Sequence, residues 1–316
     1  MDTYSEPYFR SDALARAKIE SIRWPNGPVC SHCGETESRY ATKKEGRWRC
    51  GNPACRKDYT VTTGTVMEST HIGLHKWMLA FYLLSSSKKG MSSHQLMRSL
   101  DVTYKSAWFL SHRVRKAMES GGLTAPPMGG DGGIVEVDET YHGKQENPTP
   151  SPQRRGRPYI KKNRPPPKRI IVSLVERHGS IRSFHVGAAD KTAINNLLAD
   201  NVAKDTRIHT DESGLYVDVA KTFASHETVN HSIKEYARDD IHVNSAEGYF
   251  GLFKRGFNGI YHHCREKHLH RYLSEYDFRY NHRIRLGFND MDRTIAAVKG
   301  AEGKRLTYRQ PGLTGL

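Results

Sequence analysis

The chain has 316 residues, enough for a core-bearing domain of roughly 150 residues or more beside one or two small modules. Forty-nine Lys and Arg against 34 Asp and Glu give a net charge of +15 and a pI near 9.6, which points to a polyanionic partner, nucleic acid ahead of anionic membrane. The longest apolar run, Trp77 to Leu84, is far too short to cross a bilayer, and the opening MDTYSEPYFRSDALARAK lacks an apolar signal core, so a reducing cytoplasmic compartment is expected.

Residues 11–23 carry Leu14, Ile19 and Ile22 at amphipathic spacing, and the turn chemistry of Trp24-Pro-Asn-Gly stops that helix. Next come Cys30-x2-Cys33 and Cys50-x4-Cys55, separated by 16 residues, the spacing of two knuckles that offer four thiolates to one Zn²⁺. Four filled positions leave no open site for water, so the zinc is expected to be structural. The segment between the pairs, KKEGRWRC, is basic and aromatic and suits nucleic-acid contact. DYTVTTGTV, rich in Thr and Val, predicts a strand reaching about residue 66.

From His71 to Glu119 the periodicity is helical, with Trp77, Phe81 and Leu84 on one stripe. SSHQLMRSLDV and TYKSAWFLSHRVRKAM predict two helices joined at Asp101-Val-Thr, with Ser92 or Ser93 and then Thr103 as caps. The pair reads as a helix-turn-helix whose second helix offers Lys105, Arg113, Arg115 and Lys116 to DNA. His71 and His75 lack the intervening Glu of a metalloprotease helix and read as ordinary surface.

SGGLTAPPMGGDGG is a linker by composition. Beyond it strand and helix alternate: GIVEVDETYHG, a hairpin RIIVSLVER/SIRSFHV around His178-Gly179, the helix KTAINNLLADNVA, and a strand TRIHTDESG that ends at an acid. Between the first two strands, a Pro-rich stretch with nine Lys or Arg and one acid cannot build a core and reads as a basic arm containing Arg154, Arg155, Lys161 and Lys162. In the late helix Ala246, Phe250, Phe253 and Phe257 form a buried stripe. Glu247 and Lys254 lie at its border, two turns apart on one face. These signals divide the chain into a helix and turn (1–27), a ribbon (28–68), a helix-turn-helix module (69–120), a linker (121–133), an α/β domain (134–290) with a basic loop (144–169), and a tail (291–316).

Three acids then stand in order: Asp138 on the first strand of the α/β domain, Asp211 at the end of a later strand, and Glu247 on the helix, with 35 residues between the last two. By alternation Asp138 shares a face with Ile134 and Glu136. An acid on an early strand, one at a later strand end and one on a helix describe how ribonuclease-H-like folds gather carboxylates around a divalent metal.

At these residues the chain resembles the insertion-sequence transposases of the DDE superfamily, in the zinc-ribbon group called ISXO-two-like. The matching stretches are RWPNGPVCSHCG, the second Cys pair followed by YTVTTGTVME, HKWMLAFYLLSSSKKGMSSHQLMRSLDVTYKSAWFLSHRVRKAM, VEVDETYHG, IHTDESGLY, HVNSAEGYFGLFKRGFNGIYHH and HLHRYLSEYDFRYNHR. The longer second knuckle and the Pro-rich loop depart from the pattern, and neither touches the acids.

The resemblance implies a multi-domain chain: an N-terminal zinc ribbon, an all-α helix-turn-helix module and a C-terminal α/β, ribonuclease-H-like catalytic domain of the retroviral-integrase type. It implies Asp138, Asp211 and Glu247 as catalytic residues and ligands of Mg²⁺ or Mn²⁺, with Asn244 a rival for the third place. Glu136, Glu139 and Glu212 are not expected as primary ligands, although Glu136 could face the same metal. The reaction implied is two in-line displacements at phosphorus, first by water at the transposon end and then by the freed 3′-OH on target DNA. Lys254, beside Arg255, is placed to touch DNA near the cut phosphate. Partners implied are the transposon ends and target DNA, with a homodimer or higher oligomer to join two ends, nucleoid-associated in a prokaryotic host. Two alternatives compete: a non-catalytic DNA-binding regulator, and a nuclease of the same fold without strand transfer. The His-rich YHHCREKHLHR is not expected to bind metal, and Cys264 reads as a small buried residue.

Overall fold

The computed structural model describes residues 5–119, 126–146, 167–187 and 190–307. The chain forms two compact units, Met1–Glu119 with His282–Leu316, and Ser120–Asn281.

The first unit begins with α1 (Asp12–Arg23), capped by Ser11, whose side chain accepts from the Leu14 amide. Three short antiparallel strands follow in the order β1 (Arg39–Ala41), β2 (Arg47–Cys50), β3 (Asp58–Thr60). β3 stops at Thr60, short of the strand expected from DYTVTTGTV. The threonine hydroxyls explain this: Thr63 Oγ1 accepts from Thr60 N at 3.0 Å and Thr65 Oγ1 donates to Thr62 O at 2.7 Å, winding the segment into turns. α2 (Leu74–Ser86) buries Trp77, Met78, Ala80, Phe81 and Leu84 and is the central helix of the unit. α3 (Ser93–Leu100) and α4 (Tyr104–Met118) are capped by Ser92 and Thr103, and Asp101 makes the turn in the left-handed region at φ 49°.

The second unit holds a five-stranded sheet. β4 (Ile134–Lys144), β5 (Lys168–Glu176) and β6 (Ile181–Val186) are antiparallel neighbours. α5 (Lys191–Asn201) then crosses to β7 (Arg207–Asp211), which pairs parallel to β4, with β8 (Ser225–Val229) parallel beyond it. The spatial order is β6-β5-β4-β7-β8. A two-residue ladder of β9 (Ala237–Arg238) and β10 (Ile241–His242) leads into α6 (Asn244–Gly256) and then α7 (Leu269–Asn281).

Strand alternation sorts the core into two layers. Val135, Val137, Val172, Leu174 and Ile208 pack with Ile194 and Leu198 of α5. On the other face Ile171, Val175 and Ile181 meet Ala246, Phe250 and Phe253 of α6 and Leu269, Leu273 and Tyr276 of α7. The apolar stripe expected on the late helix is thus the sheet-facing side of α6. Residues expected to be linker belong to this unit from 126 onward: Met128 is buried and bridges to Val202.

The C-terminal segment expected as a tail contains α8 (Asp290–Lys299), which opens on a capping box between Asn289 and Asp292 and packs against α2 in the first unit. The boundary of the sheet unit accordingly falls at Asn281 rather than at residue 290.

Candidate active site and metal centre

The parallel register of β4 and β7 ends at Glu136 opposite His209, and two residues further along each strand stand Asp138 and Asp211. By register and alternation both lie at the point where the strands part, on the face covered by α6 and α7. Each carboxylate is turned by a local backbone amide: Glu139 N donates to Asp138 Oδ1 at 2.8 Å, and Ser213 N to Asp211 Oδ1 at 3.0 Å. Glu247 lies in the first turn of α6, exposed, with its Oε1 3.7 Å from His231 Nδ1. Burial first, and then the negative charges of Glu139, Asp211 and Glu247, push the Asp138 carboxyl up to about 7. Asp138 thus lies within electrostatic reach of the other two acids of the ordered triplet.

The neighbouring acids are turned elsewhere. Glu139 points to the α5 face, where it accepts from the Tyr216 hydroxyl. Glu212 accepts from His231 N at 2.8 Å and from Ser232 N and Oγ, and these donors hold its carboxyl down to about 2. Glu136 is fully buried, and its oxygens accept from Arg177, Ser245 and Ala246. Asn244 is exposed at the first position of α6. Arg177 and His231 were not singled out in the sequence; a lone Arg in a hairpin and a His in an NHS turn carry no spacing signal.

The basic residues divide. Lys254 and Arg255 are exposed on α6, and Lys254 adds to burial and Arg169 in lowering His142, whose ring sits edge-on to Phe253 and Phe257. Lys105 is exposed at the start of α4. Arg113 and Arg115, expected to face DNA, are 7% and 1% exposed. Arg113 donates to Glu68 O and Leu306 O at 3.0 Å, and Arg115 to Ser111 Oγ at 2.9 Å. The last half of α4 is buried on nearly every side, so Arg113 bonds carbonyls and Arg115 a hydroxyl inside the unit instead of forming a solvated face. Arg154, Arg155, Lys161 and Lys162 lie outside the described residues.

In the ribbon, the ligand atoms of Cys30, Cys33, Cys50 and Cys55 lie within 4.8 Å of one another. Cys30 Sγ and Cys55 Sγ are 3.9 Å apart, and Cys33 Sγ and Cys50 Sγ 3.6 Å, with all four thiols free of disulfides. A tetrahedron with Zn–S of about 2.3 Å has edges of about 3.8 Å, so the thiol arrangement fits a zinc ion. The donors are all sulfur and all four corners are filled, as a structural site requires. Cys264 is buried, with Arg169 donating to its carbonyl at 2.8 Å, and no cluster of metal-binding type forms around it among the described residues.

Comparison with known proteins gives the same division. Residues 131–281 match the ISXO2-like transposase domain and residues 10–58 the transposase zinc-ribbon domain. A protein of Halobacterium salinarum named "Uncharacterized protein in transposable element ISH50" is 30% identical over 258 residues, covering 78% of this chain and 83% of its own. Among solved structures, a pre-cleavage Mos1 transpososome (10% identity, 66% of this chain and 70% of that one, TM-score 0.25) and the Mos1 Strand Transfer Complex (11%, 65% and 76%, TM-score 0.23) are similar at a level too low to bear on the argument. Identity sustained across most of both chains, with the two domain matches in consecutive order, shows that the chain belongs to the zinc-ribbon, ISXO2-like family of transposases.

Proposed function

We propose that this transposase binds the terminal inverted repeats of its insertion sequence and catalyses phosphodiester cleavage followed by 3′-OH strand transfer, using a ribonuclease-H-like DDE domain. The observation that carries the reading is the placing of Asp138 and Asp211 two residues beyond the last paired residues of β4 and β7, on the sheet face covered by α6, whose first turn holds Glu247. The sheet order β6-β5-β4-β7-β8, three antiparallel strands followed by two parallel ones, supports the fold assignment.

The cluster suits a hard divalent cation. Its donors are carboxylate oxygens, and Mg²⁺ or Mn²⁺ would offset the burial and the neighbouring negative charge that push Asp138 up. Asp138, Asp211 and Glu247 would hold the metal. Bound there, it would supply activation of the attacking oxygen and stabilisation of the leaving one. The protein's own contribution is placement. The aromatic side of α6 seats the helix on the sheet, leaving Glu247 and Lys254 at its border. Lys254, with Arg255, contacts the phosphate backbone beside the cut, and Lys105 contacts DNA from α4. The ribbon, folded around zinc, takes part in reading the end, and two protomers bring two ends together in the cytoplasm.

Strand transfer is tested with a pre-cleaved end oligonucleotide bearing a free 3′-OH, incubated with Mg²⁺ and plasmid target. Covalent joining that disappears with a 3′-deoxy end is expected. Cleavage of uncut ends without any joining would contradict the transferase reading and identify a nuclease of this fold.

A further inference from the structure

We infer that Glu136 is the positioning residue for the third acid: a buried carboxylate on β4 that caps helix α6 from outside and sets where Glu247 stands relative to Asp138. The consequence for metal rests on the proposed reading of the carboxylate site; the anchoring geometry does not.

A helix leaves its first amides without intrahelical partners, and a Ser, Thr, Asp or Asn at the N-cap normally satisfies one of them. α6 has Val243 there, 1% exposed and unable to cap. The acceptor comes from the sheet instead. Glu136 Oε2 accepts from Ser245 N at 2.8 Å and Ala246 N at 3.4 Å, and Oε1 accepts from Ser245 Oγ at 3.0 Å. These amides belong to the second and third residues of α6, the ones an N-cap side chain would serve.

A carboxylate with 0% exposure needs a counter-charge, which Arg177 supplies through Nη2 at 3.0 Å and Nε at 3.2 Å. His242 Nδ1 also lies 3.3 Å from Glu136 Oε1. The same guanidinium donates to Asp240 O at 2.5 Å and His242 O at 3.3 Å, the residues that lead the chain into the helix. Glu136 and Arg177 thus fix both the approach and the first turn of α6.

The anchor lies close to the acids on both sides. Asp138 is two residues along β4 on the same face, about 6.6 Å away at strand rise. Glu247 follows Ala246 directly, with an axial rise of about 1.5 Å. Slack at Glu136 therefore reaches Glu247 with almost nothing between to absorb it. Because its oxygens are engaged by Ser245, Ala246 and Arg177, Glu136 acts through α6 and not as a further ligand.

The test uses the full zinc-loaded chain and two readouts: amide hydrogen exchange across 244–250, and calorimetric titration with Mn²⁺, in wild type, Glu136→Gln and Asp211→Ala. Glu136→Gln keeps the side chain's size but removes its charge. Exchange in the first turn of α6 is expected to speed up at least about tenfold while α7 stays protected. Mn²⁺ affinity is expected to fall about 10- to 100-fold, the range for groups that orient metal ligands. Wild-type protection of α6 or wild-type Mn²⁺ affinity in Glu136→Gln would overturn the inference, as would loss of protection spread equally over the whole sheet unit. If wild type shows no Mn²⁺ binding that depends on Asp211, the carboxylate-metal reading fails, and the exchange data alone decide whether Glu136 holds the helix. Should Glu136→Gln not fold, Glu136→Asp carries the test, because it keeps the charge and withdraws the oxygens by one methylene; the same shifts, smaller, are expected.

Discussion

In the ribbon, four thiols come from two knuckles 16 residues apart and stand with Sγ separations of 3.6 and 3.9 Å, already at the edge lengths of a zinc tetrahedron. In the sheet unit, three carboxylates come from two strands and a helix, and no three of them meet the same proximity of 4.8 Å among the described residues. The ribbon strands are only three or four residues long, so their ladders alone do little to hold the thiol-bearing segment. The carboxylates instead sit on a scaffold with its own two-layer core. One centre is therefore part of the folding of its module, while the other is a charge cluster that the fold holds together against repulsion. The difference teaches what each centre tolerates: losing metal should unfold the first and leave the second folded.

The largest expected effect follows directly. Structural zinc in such modules contributes on the order of 10 kcal/mol to folding. Removing it with a chelator, then restoring Mg²⁺ alone, should abolish specific end binding while circular dichroism still reports a folded sheet unit. Undiminished end binding would show that the ribbon takes no part in reading DNA.

In the sheet unit the corresponding damage requires breaking the core. Phe253 is 0% exposed among His142, Phe257 and Tyr276, so Phe253→Ala should cost about 3–5 kcal/mol of that unit's stability in urea unfolding. A loss below about 1 kcal/mol would mean that α6 is not seated by its aromatic face.

A smaller effect concerns a second buried carboxylate beneath the helix. Asp277 accepts from Tyr249 OH at 2.5 Å and from Ser183 N and Oγ at 2.8 and 2.7 Å, yet burial outweighs these donors and pushes it up to about 6. Its folded pKa exceeds the unfolded value, so its contribution is fully present below about pH 4 and is lost as pH rises through about 6, a change of about 3 kcal/mol. The stability of wild type relative to Asp277→Asn should fall over that window and level off above pH 7. A difference independent of pH would contradict the assignment.

The smallest effect is electrostatic. Lys254→Ala should leave stability unchanged and reduce the slope of log affinity against log salt by about one, since one phosphate contact is lost. An unchanged slope would remove Lys254 from the DNA-contacting face.

The two centres also differed in legibility. The thiols are visible because knuckle spacing is local, and their clustering follows from that spacing alone. Helix caps at Ser92 and Thr103 were equally plain, being chemistry within three residues. The strands bearing Asp138 and Asp211 were readable, but the register that sets them side by side depends on the whole sheet. What the sequence hid was burial decided at long range. Arg113 and Arg115 look like a solvated basic face until carbonyls such as Glu68 O and Leu306 O are found against Arg113. Glu136 looks like one more acid near the triplet until α6 proves to lack its own cap. α8 was read as tail although Asn289 and Asp292 spell a capping box, a local signal that was present and passed over.

The central claim, that three carboxylates from two strands and a helix perform metal-dependent strand cleavage, is tested most directly by a Mg²⁺ cleavage assay. The substrate is DNA from the flanks of the element, and wild type is compared with Asp211→Ala and Glu247→Gln. Cleavage at the element end by wild type, lost by at least about 10³-fold in both variants while end binding survives, is the expected result. Full cleavage by Glu247→Gln would contradict the assignment of the third acid and move it to Asn244, and full cleavage by Asp211→Ala would contradict the account as a whole.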